Sequence, residues 1–164
     1  MFKRARAALV VPALLAAAAP ALAASSAAGT SHKVGLSGLI DTVSSKGTLG
    51  APGATETDAG ILAGTISGKA TARGAFYQNA VWESGLRLKA TGAFFDANGS
   101  VRFKLTAQFG AGPTPGTFSY TGTATVTRGA GAFRNAHGTL NVSGTTLTAD
   151  PDAATINMAG TLKY

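Results

Sequence analysis

The stretch SVRFKLTAQF, residues 100–109, alternates without interruption: Val101, Phe103, Leu105, Ala107 and Phe109 are apolar, while Arg102, Lys104, Thr106 and Gln108 are polar. A period of two sends successive side chains to opposite faces, so this segment reads as a strand with one buried and one wet face. Just upstream, Trp82, Leu86, Leu88, Ala90 and Phe94 alternate with Glu83, Arg87, Lys89 and Thr91, and the tetrapeptide DANG, residues 96–99, separates the two runs. Asn-Gly between alternating runs is a strong hairpin signal. Pairing Phe94 with Val101 sets Gly92 against Phe103, Ala90 against Leu105, Leu88 against Ala107 and Leu86 against Phe109, apolar facing apolar throughout. Pairing Phe94 with Phe103 instead preserves the facing, because that shift is two residues.

The pattern recurs along the chain. Phe118, Tyr120, Gly122, Ala124 and Val126 share one face of GTFSYTGTATVT, Leu140 and Val142 one face of GTLNVSGTTLT, and Ile156, Met158, Gly160, Leu162 and Tyr164 one face of ATINMAGTLKY. KVGLSGLIDTV and GILAGTISGKATA read as further strands, and residues 45–59, SKGTLGAPGATETDA, as a loop. No segment after the N-terminal region has helical periodicity. Seven to eight strands with short turns and no helix to cover a face favour an all-β, small antiparallel eight-stranded barrel of the calycin-like kind, with a two-sheet sandwich as the alternative. Glycines inside strands, such as Gly64, Gly92, Gly122, Gly144 and Gly160, suit the bends of a small barrel.

The N-terminus has a different grammar. Lys3, Arg4 and Arg6 precede an apolar run that ends in small residues at Ala21 and Ala23. These are the parts of a secretory signal peptide, with cleavage expected near Ala23. The expected organisation is a signal peptide over 1–23, a flexible lead-in over 24–32 and the barrel over 33–164, exported to the periplasm or the medium. Export of a chain with no cysteine makes packing and backbone pairing its sources of stability. Without Lys3, Arg4 and Arg6, 11 of the 14 basic residues remain against 7 acidic ones, a mild +4. That surplus permits weak contact with anionic surfaces, and nothing in the sequence resembles a nucleic-acid motif.

The segment RGAGAFRNAHGT, residues 128–139, joins two late strands. Gly129 and Gly131 are expected to take positive φ, Phe133 to fold back and plug the barrel end, and Ala136 and Gly138 to permit close backbone approach. His137 is expected on the rim. The spacing of Gly129, Gly131, Phe133, Ala136 and Gly138 resembles a corner found in bacterial allene oxide cyclase-like barrels and plant dirigent proteins. Arg128 and Ala130 depart from that pattern, and the match covers about 30 residues, 116–145. The resemblance implies an eight-stranded antiparallel barrel with a central, largely apolar cavity, and transfers no active site.

Candidates for chemistry are few. Glu56, Asp58, Asp96, Asp150 and Asp152 fall in segments that read as turns, and Glu83 is expected to pair with Arg87 on the wet face. Asp41, of ambiguous facing, and Tyr120, on the inner face, are the catalytic candidates. Trp82, Phe103, Phe118 and Tyr120 are the candidates for ligand contact. No spacing suits a metal, and no cofactor is expected. Arg87, Lys89, Arg102 and Lys104 form a basic patch on the outer face of the central hairpin.

The leading expectation is an exported, non-catalytic barrel that binds a small apolar or amphipathic ligand or serves as an extracytoplasmic interaction module. An allene oxide cyclase-like or dirigent-like enzyme or auxiliary acting on a small apolar substrate is the alternative. An eight-stranded outer-membrane barrel is the third reading, prompted by the alternating last strand ending at Tyr164.

Overall fold

The computed structural model describes residues 29–66 and 69–164; the expected signal peptide and most of the lead-in lie outside them. Eight strands follow in chain order: β1 (Ser31–Lys46), β2 (Thr55–Ile66), β3 (Lys69–Glu83), β4 (Arg87–Asp96), β5 (Gly99–Ala111), β6 (Thr117–Gly131), β7 (His137–Leu147) and β8 (Asp150–Lys163). Each pairs antiparallel with its neighbours, and β8 returns to β1 from Ser31↔Lys163 to Asp41↔Ala153, closing the barrel. Closure removes both free edges, which a helix-free sheet must otherwise protect. The fold is the eight-stranded antiparallel barrel that the alternation predicts.

The β4–β5 register runs Phe94↔Val101, Gly92↔Phe103, Ala90↔Leu105 and Leu88↔Ala107, the first of the two pairings expected. The turn is held by Asp96, whose Oδ1 accepts from the backbone N–H of Asn98 (2.7 Å) and of Gly99 (3.0 Å). Two expectations need correction. Trp82 does not share a strand with Leu88: it is the penultimate residue of β3, and a tight turn with positive φ at Gly85 (73°) and Leu86 (59°) intervenes. The turn lacks the Asn-Gly signature, and one run of alternation reads through it. The loop expected over 45–59 is also too long, because β2 begins at Thr55.

The two ends of the barrel differ in how completely the inward side chains fill them. Toward the end where β1 begins and β8 finishes, Leu36, Leu62, Phe76, Phe94, Phe103, Met158 and Leu162 fill the interior. Phe76 and Phe103 stack with centroids 5.6 Å apart. The void left there is about 20 Å³. Glycines on neighbouring strands seat the large rings: a Cβ at Gly92 would lie 2.7 Å from Cζ of Phe103, and one at Gly74 2.8 Å from Cζ of Phe94.

The glycine corner caps this end. Phe133, 4 % exposed, joins the core and meets Tyr164 edge-on at 5.5 Å, while Tyr164 stacks on His32 at 3.9 Å. Gly131 takes positive φ (65°), but Gly129 does not. Gly129 is required for a different reason, since a Cβ there would collide with the carbonyl of Phe133. Asn135 (φ 65°) and Gly138 (φ 147°) also take positive φ in the corner. Ala136 is buried, and Gly138 lies against the backbone of Thr161 and Leu162.

Candidate functional site

At the opposite end the small Thr42, Ala107, Thr146 and Ala154 stand among larger inward side chains, and a cavity of about 160 Å³ remains. Trp82, Phe109 and Tyr120 form one wall, with ring centroids 4.7 Å apart for Trp82–Phe109 and 4.8 Å for Phe109–Tyr120. The segment between β1 and β2 closes part of the mouth. Gly53 donates to the carbonyl of Trp82 and Trp82 to that of Ala54, both at 2.8 Å, and this brings Leu49 and Gly50 over the opening.

The cavity contains two buried carboxylates. Glu56 and Asp58 are 8 % and 4 % exposed, so both point inward from the start of β2. Their parity explains this, since Leu62, Gly60, Asp58 and Glu56 alternate onto one face. Thr42, Asp58 and Gln78 stand side by side on β1, β2 and β3. Thr42 Oγ1 donates to Asp58 Oδ1 (2.8 Å) and Gln78 Nε2 to Asp58 Oδ2 (2.7 Å). Trp82 Nε1 donates to Glu56 Oε2 (3.0 Å). Gln78 Oε1 is buried and accepts from no donor among the described residues.

Burial and the neighbouring Asp58 charge raise the Glu56 carboxyl from 4.5 to about 7; Asp152 adds to this and the Trp82 hydrogen bond opposes it. Burial also raises Asp58, against the hydrogen bonds from Gln78 and Thr42. The Tyr120 phenol is pushed up by burial and by the charges of Asp58 and Glu56. It donates to the carbonyl of Thr155 at 2.7 Å. Tyr120 lies over Gly144, where a Cβ would come within 2.5 Å of its Cζ and Oη.

Of the residues expected to meet a ligand, Trp82, Phe118 and Tyr120 line this cavity, whereas Phe103 belongs to the filled half. Asp41 is exposed on the outer face of β1 and does not reach the interior. His137 is exposed at the opposite end, with Nδ1 2.9 Å from the carbonyl of Asn135. Glu56, Asp58 and Asp152, which read as turn residues, line the cavity instead. The signal for the first two is present in the sequence, as the period-two phase of β2 extended backward from Leu62.

Arg87, Lys89, Arg102 and Lys104 are exposed on the outer wall. Glu83 pairs with Lys89 (2.6 Å) rather than with Arg87. Arg128 stands opposite Arg102 in the β5–β6 register, extending the cationic face. No cluster of three metal-ligating side chains occurs among the described residues. No family model matches the chain, and no curated protein or solved structure matches it either.

Proposed function

We propose that this protein is an exported binding barrel that holds one small amphipathic molecule in its open half. The observation that carries the reading is the asymmetry of the interior: one half is packed with large side chains, while the other retains about 160 Å³ between an aromatic wall and two buried carboxylates. Binding sites of this kind combine apolar walls with a few convergent polar groups. At less than the 300–1,000 Å³ typical of drug-sized ligands, the volume suits a single ring with a short substituent. The likeness of the Gly129–Gly138 corner to that of allene oxide cyclase-like and dirigent barrels supports a cavity-bearing barrel. The basic start and apolar run of residues 1–23 support export. The apolar interior, with Arg102, Lys104 and Arg128 on the outer wall, favours an aqueous setting over an outer-membrane barrel, whose lipid-facing band is apolar.

Native mass spectrometry of the exported protein from its own host tests this reading. A retained small molecule, lost when Ala154→Phe fills the cavity, is the expected result. A protein that carries nothing and gains no ligand when mixed with host extract overturns it.

A second reading, acid–base chemistry on the bound molecule, is favoured by one observation. Glu56, raised to about 7, is poised between its protonated and ionised forms near neutral pH and faces the cavity. Conversion of the retained molecule, followed by mass spectrometry and abolished in Glu56→Gln, separates this reading from binding alone.

A further inference from the structure

The polar groups of the cavity wall divide unevenly between donors and acceptors. Each side-chain donor group already makes a bond within the protein: Trp82 Nε1 to Glu56, Thr42 Oγ1 and Gln78 Nε2 to Asp58, Tyr120 Oη to the carbonyl of Thr155, and Thr146 Oγ1 to that of Ala153. Acceptors remain. Trp82 occupies one oxygen of Glu56, the carboxylate of Asp152 stands at the mouth, and Gln78 Oε1 is a buried acceptor with no donor among the described residues. No Lys, Arg or His is among the described residues that line the cavity. An anion entering it finds carboxylates and no cation among the described residues, while a ketone, ester or epoxide can draw only on the second N–H of Gln78 Nε2 and on Glu56 in its protonated form. A buried acceptor left unpaired destabilises the fold, and a ligand N–H relieves that cost.

Resting on the binding reading above, we propose that the ligand is a small protonated amine with an apolar body. The ammonium donates to the acceptor group around Glu56 and Gln78, and the body lies against Trp82, Phe109 and Tyr120. An N⁺–H donor to a carboxylate makes a stronger bond than a neutral donor does. The aromatic wall adds attraction between the cation and the ring faces. The small volume restricts the class to single-ring or short-chain amines.

Trp82 is the chain's one tryptophan and lies in the wall, so its fluorescence reports occupancy directly. The wild-type protein is titrated at pH 7.5 with three probes of similar shape: 2-phenylethylammonium, 2-phenylethanol and 3-phenylpropionate. The expected result is saturable binding of the ammonium probe at least about tenfold tighter than the alcohol, with no saturation by the carboxylate. In Glu56→Gln the ammonium probe loses about tenfold or more while the alcohol changes little. Alcohol or carboxylate binding as tight as the ammonium overturns the amine inference and leaves the binding barrel standing. Failure of all three probes to saturate also overturns the amine inference, and the binding reading is then decided by the retained-ligand experiment. If Glu56→Gln does not fold, the wild-type ranking still decides between these outcomes.

Discussion

The indole Nε1 of Trp82, at the end of β3, donates to Oε2 of Glu56, at the start of β2, over 3.0 Å. Both side chains are buried, so the bond joins the aromatic wall of the cavity to its carboxylate. It offsets only part of the cost of burying an acid, and the carboxyl still rises to about 7. A group held this way destabilises the fold whenever it is charged, which suits a residue retained for a ligand.

Glu56 binds its proton more tightly in the folded chain, at about 7, than at its ordinary 4.5, so folding takes up a proton between these values. The stability that this proton confers is complete below about pH 4.5 and is lost as pH rises through about 7. Asp58 shifts in the same direction. Glu56→Gln keeps an acceptor for Trp82 and removes the charge. At pH 8 it is expected to raise stability by about 1–3 kcal/mol, allowing for solvent at the open mouth, and to flatten the decline between pH 5 and 8. Urea unfolding of both proteins across that range measures it.

An ammonium docked at Glu56 stabilises the ionised carboxylate and expels its proton. Asp58 and Asp152 also act on Glu56 and gain from the same cation, while the Tyr120 phenol stays protonated. Calorimetry of 2-phenylethylammonium binding at pH 7, in buffers of different ionisation enthalpy, is expected to show release of roughly half a proton. The same experiment on Glu56→Gln should show release close to zero.

Phe133 closes the end away from the cavity, with its ring against Tyr164 at 5.5 Å. Truncation at Phe133→Ala leaves a hole among rigid strands and is expected to cost about 3–5 kcal/mol. Because the plug is remote from the open half, probe affinity in the folded variant should stay within about twofold. Denaturant midpoints and Trp82 titrations check the two halves of this prediction separately.

Gly144 provides the seat for Tyr120. A Cβ there would collide with the carbonyl oxygen of Thr155 and lie 2.5 Å from the ring, so Gly144→Ala must shift the β8 backbone together with a side chain that lines the cavity and donates to that carbonyl. A loss of about 1–3 kcal/mol is expected, together with weakened probe binding. Glu83→Gln, which removes the exposed ion pair to Lys89, should change stability by less than about 1 kcal/mol and leave binding untouched.

How far these features were legible in the sequence depends on the length scale of each signal. The β4–β5 hairpin was readable to its facing, with two registers left open, because Asn98-Gly99 marks the turn region and both flanks alternate cleanly; Asp96 holding the turn at Ala97 and Asn98 selects the first register. The break between Trp82 and Arg87 was not, because its turn preserves the period-two phase and places Leu86, a poor turn residue, at positive φ. Glu56 and Asp58 were hidden by composition: acids beside glycine and threonine read as a turn, since acids are seldom buried. Only the tertiary pairing with Trp82, Thr42 and Gln78, 16 to 26 residues away, makes their burial tolerable. The division of the barrel into a filled and an open half is likewise a property of eight strands together.

The central claim, a ligand site confined to the open half, is tested most directly by mapping amide chemical shifts during titration with 2-phenylethylammonium. The account predicts saturable shifts at Thr42, Glu56, Asp58, Gln78, Trp82 and Tyr120, with Phe76, Phe103 and Phe133 unmoved. Shifts centred on the filled half or spread over the outer wall would contradict it.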